Sequence, residues 1–227
     1  SRPSRQIMIE ALSYGFMQNA LIAGLLVSII CGIIGSLVVV NRMVFIAGGI
    51  AHGAYGGIGA AFFLGLSPLF GATIFALLLG LIIAFLTLKD RGRIDSVIGT
   101  LWAFGMALGI ILTDLTPGYN VDLMSYLFGS ILSVPSGDLW IMGAIAGLII
   151  VLIGGGFRSF QAMSFDPEFA ALRGVHVKIL HYTLIALIAL CVVATIRVVG
   201  LVLVIALLSI PPYIAERISA RLSHMMF

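Results

Sequence analysis

Charged residues are scarce in this chain of 227 residues. Lysine and arginine together number 12, aspartate and glutamate number 9, and the charged fraction is 9%, whereas 61% of the residues are apolar. An ordinary soluble domain carries about a quarter charged residues. A water-soluble fold of this length cannot bury so much apolar surface, so the composition excludes a soluble enzyme or binding module and predicts an integral membrane protein.

Other features that are missing narrow the function further. There is no HExxH, CxxC or glycine-rich phosphate loop, and no set of serine, histidine and acid that the topology would bring together. Only two cysteines occur, Cys31 and Cys191, both inside apolar runs, where they are predicted to pack rather than to form a disulfide or bind metal. Catalytic chemistry therefore has no visible site. The net charge of +3 is spread over short loops and indicates topology rather than nucleic-acid binding.

Long apolar runs dominate what is present. A helix needs about 20 apolar residues to cross a bilayer, and seven runs meet this requirement. They cover residues 19–40, 44–64, 68–88, 96–113, 139–156, 179–196 and 198–215. Residues 8–18 are expected to form an interfacial lead-in helix, and residues 1–7 a tail that is either vector-derived or an upstream extension. The predicted fold class is therefore all-α, a polytopic transmembrane helical bundle.

The loop charges set the orientation of these spans. Basic residues cluster in the loops around residues 89–93 and 158–178 and after the last span, which the positive-inside rule places in the cytoplasm. Residues 122–135 cannot then cross fully. They are predicted to form a short outside or re-entrant helix, in which Asp122 and Tyr126 are candidate residues of an outside gate.

The second span contains the most unusual residues. Gly49, Gly53 and Gly57 recur every four residues and predict a face on which another helix packs closely. His52 lies near the middle of this span, where ionisable residues are rare. Either it is a ligand on a metal path, because neutral imidazole binds transition metals, or it donates a hydrogen bond to the carbonyl of a neighbouring helix. Met43 is the methionine nearest to it in sequence.

A short helix is predicted in the cytoplasmic loop at residues 164–175. Asp166 suits the N-cap, Pro167 the first helical position, Glu168 the first turn, and Gly174 the C-terminus. Two turns are too few to be stable without docking, so an element that contacts a partner is favoured over an ordinary connector.

Several blocks in this order resemble the zinc, manganese and iron class of ABC transporter permeases, from about residue 8 to residue 227. The blocks are Arg42 and Met43 with His52, then Arg93, Asp95 and Gly99, then residues 117–132, residues 165–168, and residues 198–212. The resemblance implies a single permease domain in a bacterial plasma (inner) membrane, hydrolysing no ATP itself.

The resemblance also implies the partners and the cargo. These are a second permease copy in a homodimer, two ATP-binding subunits, and an extracytoplasmic metal-binding protein, with a divalent metal as cargo and no permanently bound cofactor. Asp166, Pro167, Glu168, Arg173 and Gly174 would belong to the coupling helix that contacts the ATPase. Import of a larger chelate, such as a siderophore or cobalamin, is the alternative.

The chain departs from the family pattern in two places. Many members carry an aspartate four residues before the second-span histidine, on the same helix face, and here that position is Gly48. The resemblance therefore implies a metal path at His52, Gly48 and Met43 without the usual carboxylate. Family members also continue beyond the equivalent of Ala215 with about two more spans, so we expect C-terminal spans to be missing.

Overall fold

A computed structural model describes residues 14–89, 94–117, 123–219 and 221–226, and all ten helical elements of this part of the chain lie in one bundle. The helices are α1 (Gly15–Val40), α2 (Val44–Leu64), α3 (Pro68–Lys89), α4 (Ile94–Asp114), α5 (Leu123–Phe128), a 3₁₀ turn (Ile131–Ser133), α6 (Ser136–Phe165), α7 (Pro167–Leu172), α8 (Val177–Ile218) and α9 (Leu222–Met225). The predicted tail and most of the lead-in segment lie outside the described residues, as do Arg93 and Asp122. The polytopic helical bundle expected from the sequence is confirmed.

Six helices in the described part of the chain are long and apolar enough to cross a membrane: α1, α2, α3, α4, α6 and α8. Helix α8 contains both of the last two predicted spans. Its 42 residues would reach about 63 Å as a straight helix, twice the roughly 30 Å hydrocarbon core. The helix is broken at Gly200, whose φ of 78° and ψ of 164° are not helical.

The chain reverses direction at this break. Near its start, His181 lies 2.7 Å from the Thr87 hydroxyl at the cytoplasmic end of α3. Arg197, just before the break, pairs with Asp138 at the outer end of α6, 2.6 Å away. Glu216, near the end of α8, lines a cleft at the cytoplasmic end. Two antiparallel arms therefore lie within α8, as the two predicted spans require.

Helix α2 occupies the centre of the bundle. It packs against α3, α4 and α8, and 78% of its central stretch is buried, the highest share among the six candidate spans. Helix α4 runs parallel to α2 and comes close to it because glycines face each other, with Gly59 of α2 against the backbone of Gly109 of α4. Backbones that approach this closely gain van der Waals contact where the bilayer provides no hydrophobic drive.

The short outer segment forms a short helix, as the sequence predicts, followed by irregular structure. After α5 the chain turns through Gly129, which has a φ of 71°, and continues into the 3₁₀ turn. Gly129 packs directly on Gly200 at the break in α8, and the Ser130 amide donates a hydrogen bond to the Arg197 carbonyl at 3.2 Å. These contacts cover the irregular backbone with protein, and irregular backbone is tolerated at membrane depth only where protein or a water-filled cavity covers it.

Helix α6 is longer than its predicted span. The apolar run ends before Arg158, yet the helix continues to Phe165, because the helical backbone hydrogen bonds do not require an apolar surface. The extension carries the chain into the cytoplasmic region, where α7 follows after a single residue.

Candidate functional site

The His52 side chain is half-buried on α2 and hydrogen-bonded within its own helix. Its Nδ1 lies 3.0 Å from the carbonyl oxygen of Gly48, one turn earlier. A carbonyl oxygen can only accept, so Nδ1 carries the proton and donates. Nε2 of the neutral ring then carries the lone pair. The acceptor lies in the same helix and not in a neighbouring one, which corrects the second interpretation of His52, and this hydrogen bond leaves the other ring nitrogen able to bind a metal.

An aromatic pair from two helices flanks this histidine. The imidazole stacks on the indole of Trp102 in α4, with ring centroids 3.8 Å apart and planes inclined by 22°. Phe45, near the start of α2, lies beyond the indole at a centroid distance of 6.2 Å. The three rings thus form a column that descends from the middle of α2 toward its cytoplasmic end.

Gly48 leaves space beside this column. A Cβ atom built on Gly48 would lie 3.6 Å from Ile205 and 3.6 Å from Trp102, which is ordinary van der Waals contact. Packing of the described residues therefore does not require glycine at this position. The structure has room for the start of a side chain where many family members carry aspartate.

Met43 does not reach His52. It is the N-cap residue of α2, and its side chain is buried in the core. Nine residues of α-helix separate the two along the axis by about 13 Å. The sequence-predicted pair of Met43 and His52 is therefore not brought together.

The repeating glycines of α2 lie in tight helix contacts. A Cβ on Gly49 would overlap Ile98 of α4, and one on Gly53 would overlap Leu79 of α3. A Cβ on Gly57 would overlap the backbone of Gly71 and the Phe75 side chain, also in α3. The three glycines therefore serve two packing contacts rather than one smooth face, and they hold α2 close to α3 and α4.

A cleft of about 950 Å³ opens at the cytoplasmic end of the column. Phe45 lines it, together with polar and charged side chains from three helices and the α1–α2 turn. These side chains are Arg42, Asp95, Ser164, Ser209, Tyr213 and Glu216. An ion leaving His52 along the aromatic column would meet carboxylates and hydroxyls here, which are groups that divalent cations accept as ligands.

The described part of the chain contains no group of three or more histidine, cysteine, aspartate or glutamate side chains that could hold a metal ion. Among the described residues, His52 therefore belongs to no cluster of three such side chains, and it can supply one nitrogen ligand. A single ligand suits brief contact with a moving ion better than tight binding, because conduction requires that the ion can leave.

Helix α7 has the capped structure that its sequence predicts. The Phe169 amide donates a hydrogen bond to the Asp166 carboxylate at 2.9 Å, and Pro167 and Glu168 lie in the first turn. Ala170 is buried against the bundle, whereas Leu172 is 87% exposed. The helix is thus anchored on one side and offers apolar side chains on the other.

The end of α7 is closed by two further predicted residues. Gly174 follows the helix with a φ of 82°, a conformation that favours glycine. The Arg173 guanidinium lies over the Phe169 ring, 5.0 Å from its centroid. This contact fixes a basic group beside an exposed aromatic ring on the cytoplasmic surface.

One of the two candidate outside-gate residues is described. Tyr126 of α5 meets Phe62 of α2 edge to face, with centroids 6.2 Å apart, and it lines a small cavity with Arg197. Asp122 lies outside the described residues. Helix α5 therefore touches the outer end of α2 through this ring contact, which is where an outside gate would lie.

Sequence reasoning did not identify Trp102, and it named Arg42 and Asp95 of the cytoplasmic cleft only among the blocks that carry the family resemblance. Trp102 is 50 positions from His52, and only the parallel packing of α2 and α4 brings the rings together. One signal was available, because a tryptophan in the middle of an apolar span is unusual when most lie at membrane interfaces. The other polar residues of the cleft gave no such signal.

The sequence matches the ABC 3 transport family over residues 13–227. The chain is 51% identical to an uncharacterized membrane protein of Synechocystis, over 97% of this chain and 79% of that protein. It is 37% identical to the manganese transport system membrane protein MntC of Halalkalibacterium halodurans, over 96% of this chain and 74% of that protein.

A solved structure agrees with the sequence matches. PsaBC from Streptococcus pneumoniae, in complex with a Fab, superimposes with a TM-score of 0.84 and 32% identity, covering 96% of this chain and 79% of that one. Similarity in both sequence and fold thus extends over nearly the whole chain.

Proposed function

We propose that this chain, which belongs to the ABC 3 transport family, carries a divalent transition metal past His52 into the cytoplasm, with manganese as the first ion to test. It is a multi-pass permease subunit of a metal ABC importer in the bacterial inner membrane, not an enzyme. The proposal adds the path and the ion to this description.

One observation carries the proposed path. His52 lies in the most buried of the candidate spans, its Nδ1 is hydrogen-bonded to Gly48, and its Nε2 is left with the lone pair. Imidazole nitrogen binds manganese, ferrous iron and zinc as the neutral ring. The aromatic column then leads to a cleft with carboxylates at the cytoplasmic end.

The choice of manganese rests on similarity. The relative from Halalkalibacterium halodurans, 37% identical, is named a manganese transport protein. Manganese prefers oxygen ligands, whereas imidazole also suits zinc and ferrous iron, so all three ions belong in the test. A wild-type protein that moves a chelate and none of the free ions would contradict the proposal.

The partner assembly is part of the same proposal. Exposed Phe169 and Leu172 on α7 suit a contact with an ATP-binding subunit, and two permease copies would enclose the path. An extracytoplasmic metal-binding protein would deliver the ion near α5. ATP binding and hydrolysis would then shift the permease pair between outward-open and inward-open states.

Uptake in liposomes tests the proposed path. The permease is reconstituted with its ATP-binding subunit and binding protein, and ATP-dependent uptake of Mn²⁺, Zn²⁺ and Fe²⁺ is measured. We expect saturable uptake of manganese and a loss of about tenfold or more in His52→Ala, since the substitution removes the imidazole ligand from the membrane-spanning part of the path.

A second histidine provides the matched control. His224 is exposed in α9, outside the proposed path, so His224→Ala is expected to transport like the wild type. Equal uptake by wild type and His52→Ala would contradict the path while leaving the family assignment untouched. Gly48→Asp would add a carboxylate one turn from His52, and we expect it to lower the KM for manganese.

A further inference from the structure

We propose that Trp102 is a positioning residue for the transported metal, because its indole holds the His52 imidazole with Nε2 available to the ion. This inference rests on the proposed function, since it concerns how the residue on the path is presented. It adds a residue of α4 to a path that sequence alone assigned to α2.

Two contacts together fix the imidazole. The hydrogen bond from Nδ1 to the Gly48 carbonyl, 3.0 Å long, selects the tautomer and leaves Nε2 without a proton. The indole, 3.8 Å away and inclined by 22°, determines the plane of the ring. Neither contact alone defines both the tautomer and the direction in which the free lone pair points.

Metal-binding histidines are normally oriented by a partner on the second ring nitrogen, either a carboxylate or a backbone carbonyl. Here a carbonyl of the same helix has this role, and it leaves rotation about the Cβ–Cγ bond free over part of its range. The Trp102 ring occupies one side of the imidazole and limits that rotation. Trp102 thus supplies the orientation that a carbonyl by itself does not.

The packing of α2 and α4 explains why the indole can reach His52. Gly49 faces Ile98, and Gly53 faces the backbone of Gly105, so the two helices approach closely on either side of Trp102. The indole also lies 3.6 Å from the position of a Cβ on Gly48. It therefore fills the space beside the same turn that carries the accepting carbonyl.

The indole also favours the metal-bound state electrostatically. When Nε2 binds a divalent cation, the imidazole ring gains positive charge, and a stacked indole presents its electron-rich face to that charge. Tryptophan provides the strongest such face, phenylalanine a weaker one and leucine none. The expected order of metal affinity is therefore wild type, then Trp102→Phe, then Trp102→Leu.

The other tryptophan provides a contrast and a control. Trp140 lies at the outer end of α6 and is 82% exposed, as expected for an anchor at the membrane interface. Trp102 is half-buried within a span and stacked on an ionisable side chain. We expect Trp140→Leu to leave metal transport unchanged.

The first measurement is manganese uptake by the reconstituted complex. Trp102→Leu is expected to raise KM for Mn²⁺ roughly threefold to tenfold, the size of an aromatic stacking contribution, with a smaller change in kcat. Trp102→Phe is expected to recover most of the affinity. Uptake with wild-type KM in Trp102→Leu would overturn the proposal.

The second measurement does not depend on transport. ¹⁵N NMR of the histidine-labelled permease, with the His52 signals assigned by comparison with His52→Ala, reports which ring nitrogen carries the proton and how mobile the ring is. We expect the proton on Nδ1 in both proteins, because the Gly48 carbonyl remains in place, and a more mobile ring in Trp102→Leu. The same ring mobility in both proteins would also overturn the proposal.

The outcomes separate this inference from the proposed function. Loss of transport in His52→Ala together with wild-type KM and wild-type ring mobility in Trp102→Leu rejects the role of Trp102 alone. Full transport in His52→Ala rejects the path at His52, whatever Trp102 does. Should Trp102→Leu fail to fold, Trp102→Phe keeps an aromatic ring and gives the same two readouts, with a smaller expected rise in KM.

Discussion

Helices α2 and α6 are both rich in glycine, yet their glycines have opposite roles. In α2, a Cβ on Gly53, Gly57 or Gly59 would overlap a neighbouring helix, whereas a Cβ on Gly147 or Gly154 of α6 would meet nothing within 4 Å. The central stretch of α2 is 78% buried and that of α6 is 22% buried.

This difference is the opposite of the common expectation that the most apolar helix of a protein is also the most buried. Helix α2 has the lowest hydropathy of the six candidate spans and is also the most buried. In a bilayer, hydropathy measures how well a helix tolerates lipid, whereas burial depends on how closely neighbouring backbones can approach. The least apolar span can therefore lie at the centre, where it carries His52.

Valine at matched glycines should show the largest difference between the two helices. Gly59→Val places a branched side chain against the backbone of Gly109, which cannot move without separating α2 from α4. We expect a loss of about 3 kcal/mol or more in stability. Gly147→Val should change stability by no more than about 0.5 kcal/mol.

Thermal unfolding of the purified permease in detergent measures both substitutions. Equal loss of stability at Gly59 and Gly147 would show that the close approach of α2 and α4 is not what distinguishes the two helices. A stable Gly59→Val protein would contradict the packing directly.

Gly200 in α8 must remain glycine because of its backbone conformation as well as its packing, unlike the exposed glycines of α6. Its φ of 78° and ψ of 164° lie in a region that only glycine occupies readily, and a Cβ would also meet the backbone of Phe128 and Gly129. Gly200→Ala should therefore cost about 1–3 kcal/mol. Gly154→Ala in α6 is the matched control and should be neutral or slightly stabilising, because alanine favours helix.

The measurement for Gly200 is again thermal unfolding, combined with trypsin cleavage at Arg197, which reports whether the segment after α5 still packs on the break in α8. If the Gly200→Ala protein is as stable and as resistant to cleavage as wild type, the requirement for glycine at this break is wrong.

Two adjacent glycines within α2 should show the smallest difference. A Cβ on Gly49 would overlap Ile98, whereas one on Gly48 would make ordinary contacts at 3.6 Å. Gly49→Ala should therefore lose about 1 kcal/mol, and Gly48→Ala should gain up to about 1 kcal/mol from helix propensity.

Urea or thermal unfolding of the two alanine variants decides this prediction. A more stable Gly49→Ala or a less stable Gly48→Ala would mean that the two positions have been assigned to the wrong faces of α2.

Much of the fold was predictable because the bilayer restricts it. Residues 44–64 were predicted as a span and form α2 with the same bounds, since a spanning segment must be helical and apolar. The capped helix α7 was predictable because Asp166, Pro167 and Gly174 act on their own backbone or on the adjacent turn. The extension of α6 to Phe165 was not predictable in this way. The apolar run ends before Arg158, whereas the helical hydrogen bonds of the backbone continue to Phe165.

The sequence by itself determined the membrane class, the spans and the family, because these follow from apolar runs and ordered motifs along one chain. Only the tertiary structure decided which glycines must remain glycine, where α8 reverses, and that Trp102 faces His52. These depend on distances between residues far apart in the chain. Helix periodicity fixes which residues share a face, but it does not fix which neighbouring helix that face will meet.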